Sequence, residues 1–205
     1  MRVNPRILAE LAPRRLVLAY GSGVFPMVEE GRLMWFSPDP RGLLPLDERL
    51  HIPRRLAWTV RRGMFACTVD RAFDAVVRLC ARREEGTWIS PEIRQAYGRL
   101  HALGLAHSVE AWPADAIGCG QPAGGLYGVS LGGAFFAESM FHRRTDAGKV
   151  AVAFLLRRLR DRGFRLCDVQ WTTDNLRQFG AYDLPRAQYM ALLAEVLRMS
   201  CRFEG

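Results

Sequence analysis

The chain is nearly devoid of lysine: Lys149 is the single one among 29 basic residues, and the rest are arginine. No CxxC pair occurs, and the five cysteines (Cys67, Cys80, Cys119, Cys167, Cys201) are too widely spaced for a zinc ribbon or a dithiol motif. Reduced, largely buried thiols are expected instead. The four histidines (His51, His101, His107, His142) show no metal-ligand spacing. His107 reads as a structural hydrogen-bonder, and we expect neither a metal nor a cofactor. No apolar run approaches the roughly 20 residues of a membrane span. The N-terminus also lacks the long apolar stretch of a signal peptide, so no membrane association and a cytoplasmic location are expected.

What is present fits a globular chain of one domain, or one domain with a small appendage: 205 residues, 49% hydrophobic and 24% charged. A net charge of +8 suits a polyanionic partner, because each contacted phosphate adds favourable counterion release.

Pro5 to Tyr20 has the apolar spacing of one or two short helices, broken at Gly21-Ser22-Gly23. Val24 to Met27 is an extended strip, and Trp35 to Arg41, with two prolines, reads as a rigid loop. Residues 1–50 therefore form a small N-terminal subdomain or flap, and 51–205 the main domain. In the latter, a helix feeds the strand Phe65–Val69, and Asp70 is placed to cap the following helix. Ser90 and Pro91 open another helix as N-cap and N1. His107–Trp112 is a strand. Gly124–Ser130 and Ala134–Met140 are strands joined by Leu131-Gly132-Gly133, a hairpin signal. Lys149–Arg162 is an amphipathic helix ended by Gly163. Leu166–Trp171 is a strand and Arg186–Arg198 a last helix. The order predicts an α+β fold with a mostly antiparallel sheet.

Several short motifs carry a resemblance. They are Gly21-x-Gly23-Val24-Phe25-Pro26, Trp35-Phe36-Ser37-Pro38-Asp39-Pro40-Arg41, Arg83-Glu84-Glu85-Gly86-Thr87-Trp88-Ile89 and His107-Ser108-Val109-Glu110. Further along the chain come Gly124-Gly125-Leu126-Tyr127-Gly128-Val129, Glu138-Ser139-Met140-Phe141, Asp168-Val169-Gln170 and Leu184-Pro185-Arg186-x-x-Tyr189. In that order and spacing the chain resembles the bacterial leucyl/phenylalanyl-tRNA–protein transferases along nearly its whole length. The resemblance implies an acetyltransferase-like (GNAT-type) core with a mixed, mostly antiparallel sheet behind a small N-terminal domain. It implies transfer of leucine, phenylalanine or methionine from aminoacyl-tRNA to the N-terminal Arg or Lys of an acceptor protein, tagging it for degradation, by a monomeric enzyme.

Such a transfer needs few groups: the ester is already activated, the amine must lose a proton, and the oxyanion needs donors. Asp168 and Gln170 lie two apart on a strand, so both side chains are expected on one face. The resemblance implies that Asp168 orients or deprotonates the amine, directly or through the Gln170 amide, and that Glu138 lies in a pocket and attracts the cationic acceptor. It implies that Trp88 stacks on the terminal adenosine. Leu126, Tyr127 and Phe135, with Ser139 and Met140, would line the aminoacyl pocket, and Arg54, Arg55, Arg61 and Arg62 would hold the tRNA body. The chain departs from the family pattern at Met27, where a tryptophan belongs to the adenosine platform, and at Trp171, beside the Asp168–Gln170 pair. Its N-terminal segment is also shorter than usual for the family. These departures leave open an altered donor or a small-molecule acceptor. An acyl-CoA-dependent transferase, for which Thr145–Lys149 offers only a weak phosphate loop, and a non-catalytic RNA-binding relic are the other readings.

Overall fold

In the computed structural model the residues described are 3–83 and 86–204. Two short helices, α1 (Pro5–Glu10) and α2 (Pro13–Gly21), lead into a hairpin of β1 (Phe25–Glu29) and β2 (Arg32–Phe36). Each helix opens on a proline, whose missing N–H would have been unpaired in a first turn anyway. Glu30 and Gly31, both at positive φ, form the two-residue turn that suits the strand twist. Trp35 and Phe36, expected in a loop, instead end β2 opposite Pro26 and Phe25. Alternation alone does not reveal a strand whose partner carries a proline.

The chain then enters a seven-stranded sheet at β3 (Arg41–Leu44), which lies within the first 50 residues yet pairs inside the large sheet. Next come α3 (Arg54–Arg61), β4 (Phe65–Val69), α4 (Phe73–Cys80), α5 (Pro91–Ala102), β5 (Ala106–Pro113), β6 (Gly124–Leu131) and β7 (Ala134–His142). The chain finishes with α6 (Ala147–Asp161), β8 (Leu166–Gln170), α7 (Asp174–Arg177), β9 (Tyr182–Leu184) and α8 (Arg186–Val196). The order across the sheet is β4-β5-β6-β7-β8-β3-β9. Every pairing is antiparallel except β7 with β8, so the fold is the expected α+β type with a mixed, mostly antiparallel sheet.

Two apolar clusters cover the sheet. One gathers Leu16 and Tyr20 of α2, Val76 and Val77 of α4, Ile93 and Tyr97 of α5 and Leu193 of α8. The other gathers Leu56 of α3 with Val150, Leu155, Leu156 and Leu159 of α6. Ser90 caps α5 as expected, its hydroxyl accepting from the Ile93 N–H. Asp70 does not cap α4: at φ +58° its carboxylate turns back to accept the Ser108 N–H and to lie 2.7 Å from His107 Nδ1. Buried His107 also lies 3.1 Å from the Gly104 carbonyl through Nε2, in keeping with the hydrogen-bonding role expected of it, and stacks on Phe203.

Two features open the sheet near its middle. The parallel pairing of β7 and β8 stops at Phe136–Asp168, while both strands run on, so they part beyond that point. Beyond it each strand also carries a bulge. Tyr127 and Gly128 pair with Ser139 and Ala137, leaving Glu138 as the extra residue of β7. Gly42 and Leu43 pair with Gln170 and Asp168, leaving Val169 as the extra residue of β8. A bulge re-aims the side chains around it, and here two bulges face one opening.

Candidate active site

Where β7 and β8 part lies a cavity of about 720 Å³. Ala137 to His142 wall one side and Val169 to Trp171 the other, with Phe25, Met27, Cys80, Trp88 and Asn175 closing it. Of the residues singled out from the sequence, Glu138, Gln170, Trp88, Met27, Leu126, Ser139 and Met140 all line this space.

Glu138 is half-buried and held from behind by two tyrosines. Tyr20 of α2 donates to Oε1 at 2.7 Å, Tyr97 of α5 donates to Oε2 at 3.0 Å, and the two hydroxyls also touch one another. Burial pushes the Glu138 carboxyl up to about 7, against the two hydroxyl donors, which favour the anion. Asp168 pushes the same way as burial, and Arg41 opposes it. Burial, reinforced by the Glu138 charge, holds Tyr20 and Tyr97 well above the ordinary phenol range, so both remain donors. A carboxyl poised near neutrality at a cavity wall is matched to taking a proton from an amine at physiological pH.

Asp168 is elsewhere. It is fully buried and does not line the cavity. Arg41, itself buried, places Nε 2.9 Å from Oδ1 and Nη2 2.9 Å from Oδ2, and the Tyr189 hydroxyl donates to Oδ2 at 2.7 Å. The Arg41 guanidinium lies between the rings of Phe25 and Tyr189 and also donates to the Gly23 carbonyl. Burial pulls the Arg41 pKa down, but Asp168 more than offsets it and the guanidinium stays charged. The shared face expected for Asp168 and Gln170 is absent. The bulge at Val169 and a left-handed Gln170 (φ +62°) interrupt the two-residue alternation. Instead Asp168 Oδ1 accepts the backbone N–H of Gln170 at 2.9 Å, fixing the residue whose side chain reaches the cavity. Gln170 lines the cavity, and its Nε2 is buried without a hydrogen-bond partner among the described residues.

Tyr127 and Phe135, expected in the pocket lining, are fully buried and contribute no wall. Tyr127 packs edge-on against Tyr97 behind Glu138, and Phe135 stacks on Phe203 in the opposite cluster. The bulge at Glu138 explains why lining residues do not alternate along β7. Arg54, Arg55, Arg61 and Arg62 are exposed on and just beyond α3, away from the cavity lining. Arg62 covers the exposed Trp58 ring at 4.2 Å. Glu84 and Glu85 of the tryptophan loop lie outside the described residues. Asp70, His107 and Glu204, whose ligand atoms lie within 4.8 Å of one another, are not among the residues that line the cavity.

Tyr20 and Tyr97 are not recognisable as site residues from the sequence, because each falls on the apolar face of its helix and reads as core. Arg41 and Tyr189 stand inside family motifs, but nothing local to either points to Asp168. The exposure of Trp171, edge-on to Phe25 at 5.4 Å, results from the chain leaving β8 at the left-handed Gln170.

A mixed sheet that opens between two parallel strands, with a near-neutral carboxyl, an unpartnered amide and aromatic walls at the opening, is the framework of a group-transferring enzyme. Residues 43–194 match the family model described as leucyl/phenylalanyl-tRNA protein transferase, and residues 9–39 match the model of that family's N-terminal domain. The chain belongs to the leucyl/phenylalanyl-tRNA–protein transferase family. Among its relatives so named, that of Herpetosiphon aurantiacus is 48% identical over 193 residues, covering 94% of this chain and 98% of that one. That of Anaeromyxobacter sp. (strain Fw109-5) is 51% identical over 193 residues, covering 92% and 80%. Among solved structures, L-PGS from Bacillus licheniformis has a TM-score of 0.49 at 9% identity, covering 92% of this chain and 71% of that chain. A tandem GNAT protein from the clavulanic acid biosynthesis pathway has a TM-score of 0.38 at 16% identity, covering 84% and 56%.

Proposed function

We propose that this protein transfers leucine, phenylalanine or methionine from aminoacyl-tRNA to the N-terminal Arg or Lys of an acceptor protein, with the chemistry centred on Glu138. The observation that carries this reading is the bulged Glu138, its carboxyl near pKa 7, on one cavity with Gln170, whose amide nitrogen lacks a partner among the described residues. The acceptor's α-ammonium, with an ordinary pKa of about 8, gives a proton to the Glu138 carboxylate. The freed amine attacks the ester carbonyl carbon, and the Gln170 Nε2–H donates to the oxygen on which charge develops. The C–O bond to the terminal ribose then breaks as the C–N bond is completed. The amine's remaining excess proton leaves, and the ribose oxygen is protonated. Holding ester and amine together in the cavity supplies much of the rate.

Asp168 acts as a positioning residue, through the Gln170 N–H it accepts and the Arg41 and Tyr189 hydrogen bonds that fix it. Trp88 and Met27 offer surfaces for the terminal adenosine, with stacking on an indole worth about 1–3 kcal/mol. Leu126, Ser139 and Met140 line the aminoacyl side. Arg54, Arg55, Arg61 and Arg62 hold the tRNA body. No helix among the described residues is long and apolar enough to cross a membrane, and we take the protein to act as a monomer in the cytoplasm.

The test is transfer of labelled leucine from charged tRNA to an Arg-starting peptide, measured from pH 5.5 to 8.5. The wild type should gain activity with rising pH around 7. Glu138→Gln should lose about 100-fold or more in kcat, together with that pH limb. Wild-type activity that the substitution leaves unchanged would remove Glu138 from the chemistry. Transfer to small amines but not to the peptide would favour an altered acceptor, for which the exposed Trp171 beside Gln170 is the supporting feature.

A further inference from the structure

We propose that Arg83 binds a phosphate of the donor, the one carried on the 5′ oxygen of its terminal nucleoside. This rests on the aminoacyl-tRNA reading above and names an interaction within it. Arg83 lies just past the end of α4, is exposed, and lines the cavity together with Arg82. Its Nη2 donates to Ser139 Oγ at 2.9 Å, which steers the guanidinium over the wall of β7 that bears Glu138. Arg78 and Arg94, both near the same helix, are paired with Asp74. Arg83 makes no ion pair among the described residues, and its Nε and Nη1 have no partner there.

A guanidinium fixed by one neutral hydrogen bond, with the rest of its fork open, is fitted to a phosphate, which it can grip through two parallel bonds. Charge decides which substrate it serves. The proposed acceptor brings an α-ammonium and a basic side chain, and both are repelled by Arg82 and Arg83. The donor brings the phosphates. The cavity is thereby divided into a cationic edge that takes the nucleotide and the Glu138 carboxyl that takes the amine. Trp88, five residues beyond Arg83 and on the same cavity, is the surface for that nucleotide's base.

The experiment uses a non-hydrolysable 3′-amide analogue of leucyl-adenosine in two forms, with a free 5′-hydroxyl and with a 5′-phosphate. Each is titrated calorimetrically into the full chain. The wild type should bind the phosphorylated form about tenfold tighter or more, the range of a hydrogen bond to a charged group. Arg83→Ala should bind both forms alike, at the wild-type affinity for the unphosphorylated one, which also shows that the cavity is folded. Arg83→Lys should restore part of the preference, and Arg82→Ala should keep most of it. Equal binding of the two forms by the wild type, or a preference that survives Arg83→Ala, overturns the Arg83 assignment alone. Failure of the wild type to bind either form overturns the donor reading, and the phosphate site with it.

Discussion

Glu138 owes its chemistry to residues 118 and 41 positions away in the chain, Tyr20 and Tyr97, whose hydroxyls meet its carboxylate. The same environment has a consequence for stability. The Glu138 pKa is raised from the usual 4.5 to about 7, so between those values the folded chain holds a proton that the unfolded chain has lost. Stability therefore falls as pH rises from about 4.5 to 7 and levels off above that. Glu138→Gln removes the loss. At pH 8 it should stabilise the protein by about 1–3 kcal/mol, and below pH 4.5 the gain should vanish. Urea melts across that range read the effect, and a gain independent of pH would contradict the assignment. At the same scale, burial pushes the thiol of Cys80, which lines the cavity, up to about 12, which disfavours the thiolate that a nucleophile needs.

Among the elements, β3 passes close to the chain that leaves β8. A Cβ on Gly42 would lie 2.7 Å from the backbone of both Trp171 and Thr172, and backbone cannot move aside as a flexible side chain can. Gly42→Ala should cost about 1–3 kcal/mol as overpacking and shift the fluorescence of Trp171. Gly98→Ala, in the interior of α5 with open space around it, should instead stabilise by about 0.5–1 kcal/mol. Equal effects would mean that the close approach of β3 to residues 171–172 does not constrain the site. Gly128 serves the other bulge in the same way, since a Cβ there would meet the Phe136 carbonyl. Most elements were legible in the sequence: the Ser90 cap, the β6–β7 hairpin and the long α6 can be read from spacing and turn residues. The short β2, β3 and β9, whose residues show no alternation long enough to register, were not.

Over the whole molecule, the excess of arginine separates into different duties. Arg41 is locked inside with Asp168, Arg83 edges the cavity, and Arg54, Arg55, Arg61 and Arg62 are exposed at α3. Replacing the last four with alanine should raise KM for aminoacyl-tRNA and flatten its salt dependence, by a slope of about 0.7–0.9 for each phosphate no longer neutralised. Binding of a leucyl-adenosine analogue, which reaches only the cavity, should not change. If both donors weaken alike, the α3 cluster acts on folding and not on the tRNA body.

By itself the sequence determined the fold class, the family and the residue types needed for aminoacyl transfer, because apolar periodicity, turn chemistry and short motifs are local properties. It also pointed to seven of the residues that line the cavity. Which carboxylate faces the opening was decided only by the tertiary structure. Counting by twos along β8 put Asp168 and Gln170 on one face. Pairing with β3 inserted a bulge, left Gln170 at positive φ and gave Asp168 to Arg41. Pairing with β6 inserted the other bulge and set Glu138 before two buried tyrosines. Cross-strand register and burial arise between segments far apart in the chain, and they set both the direction of a side chain and its pKa.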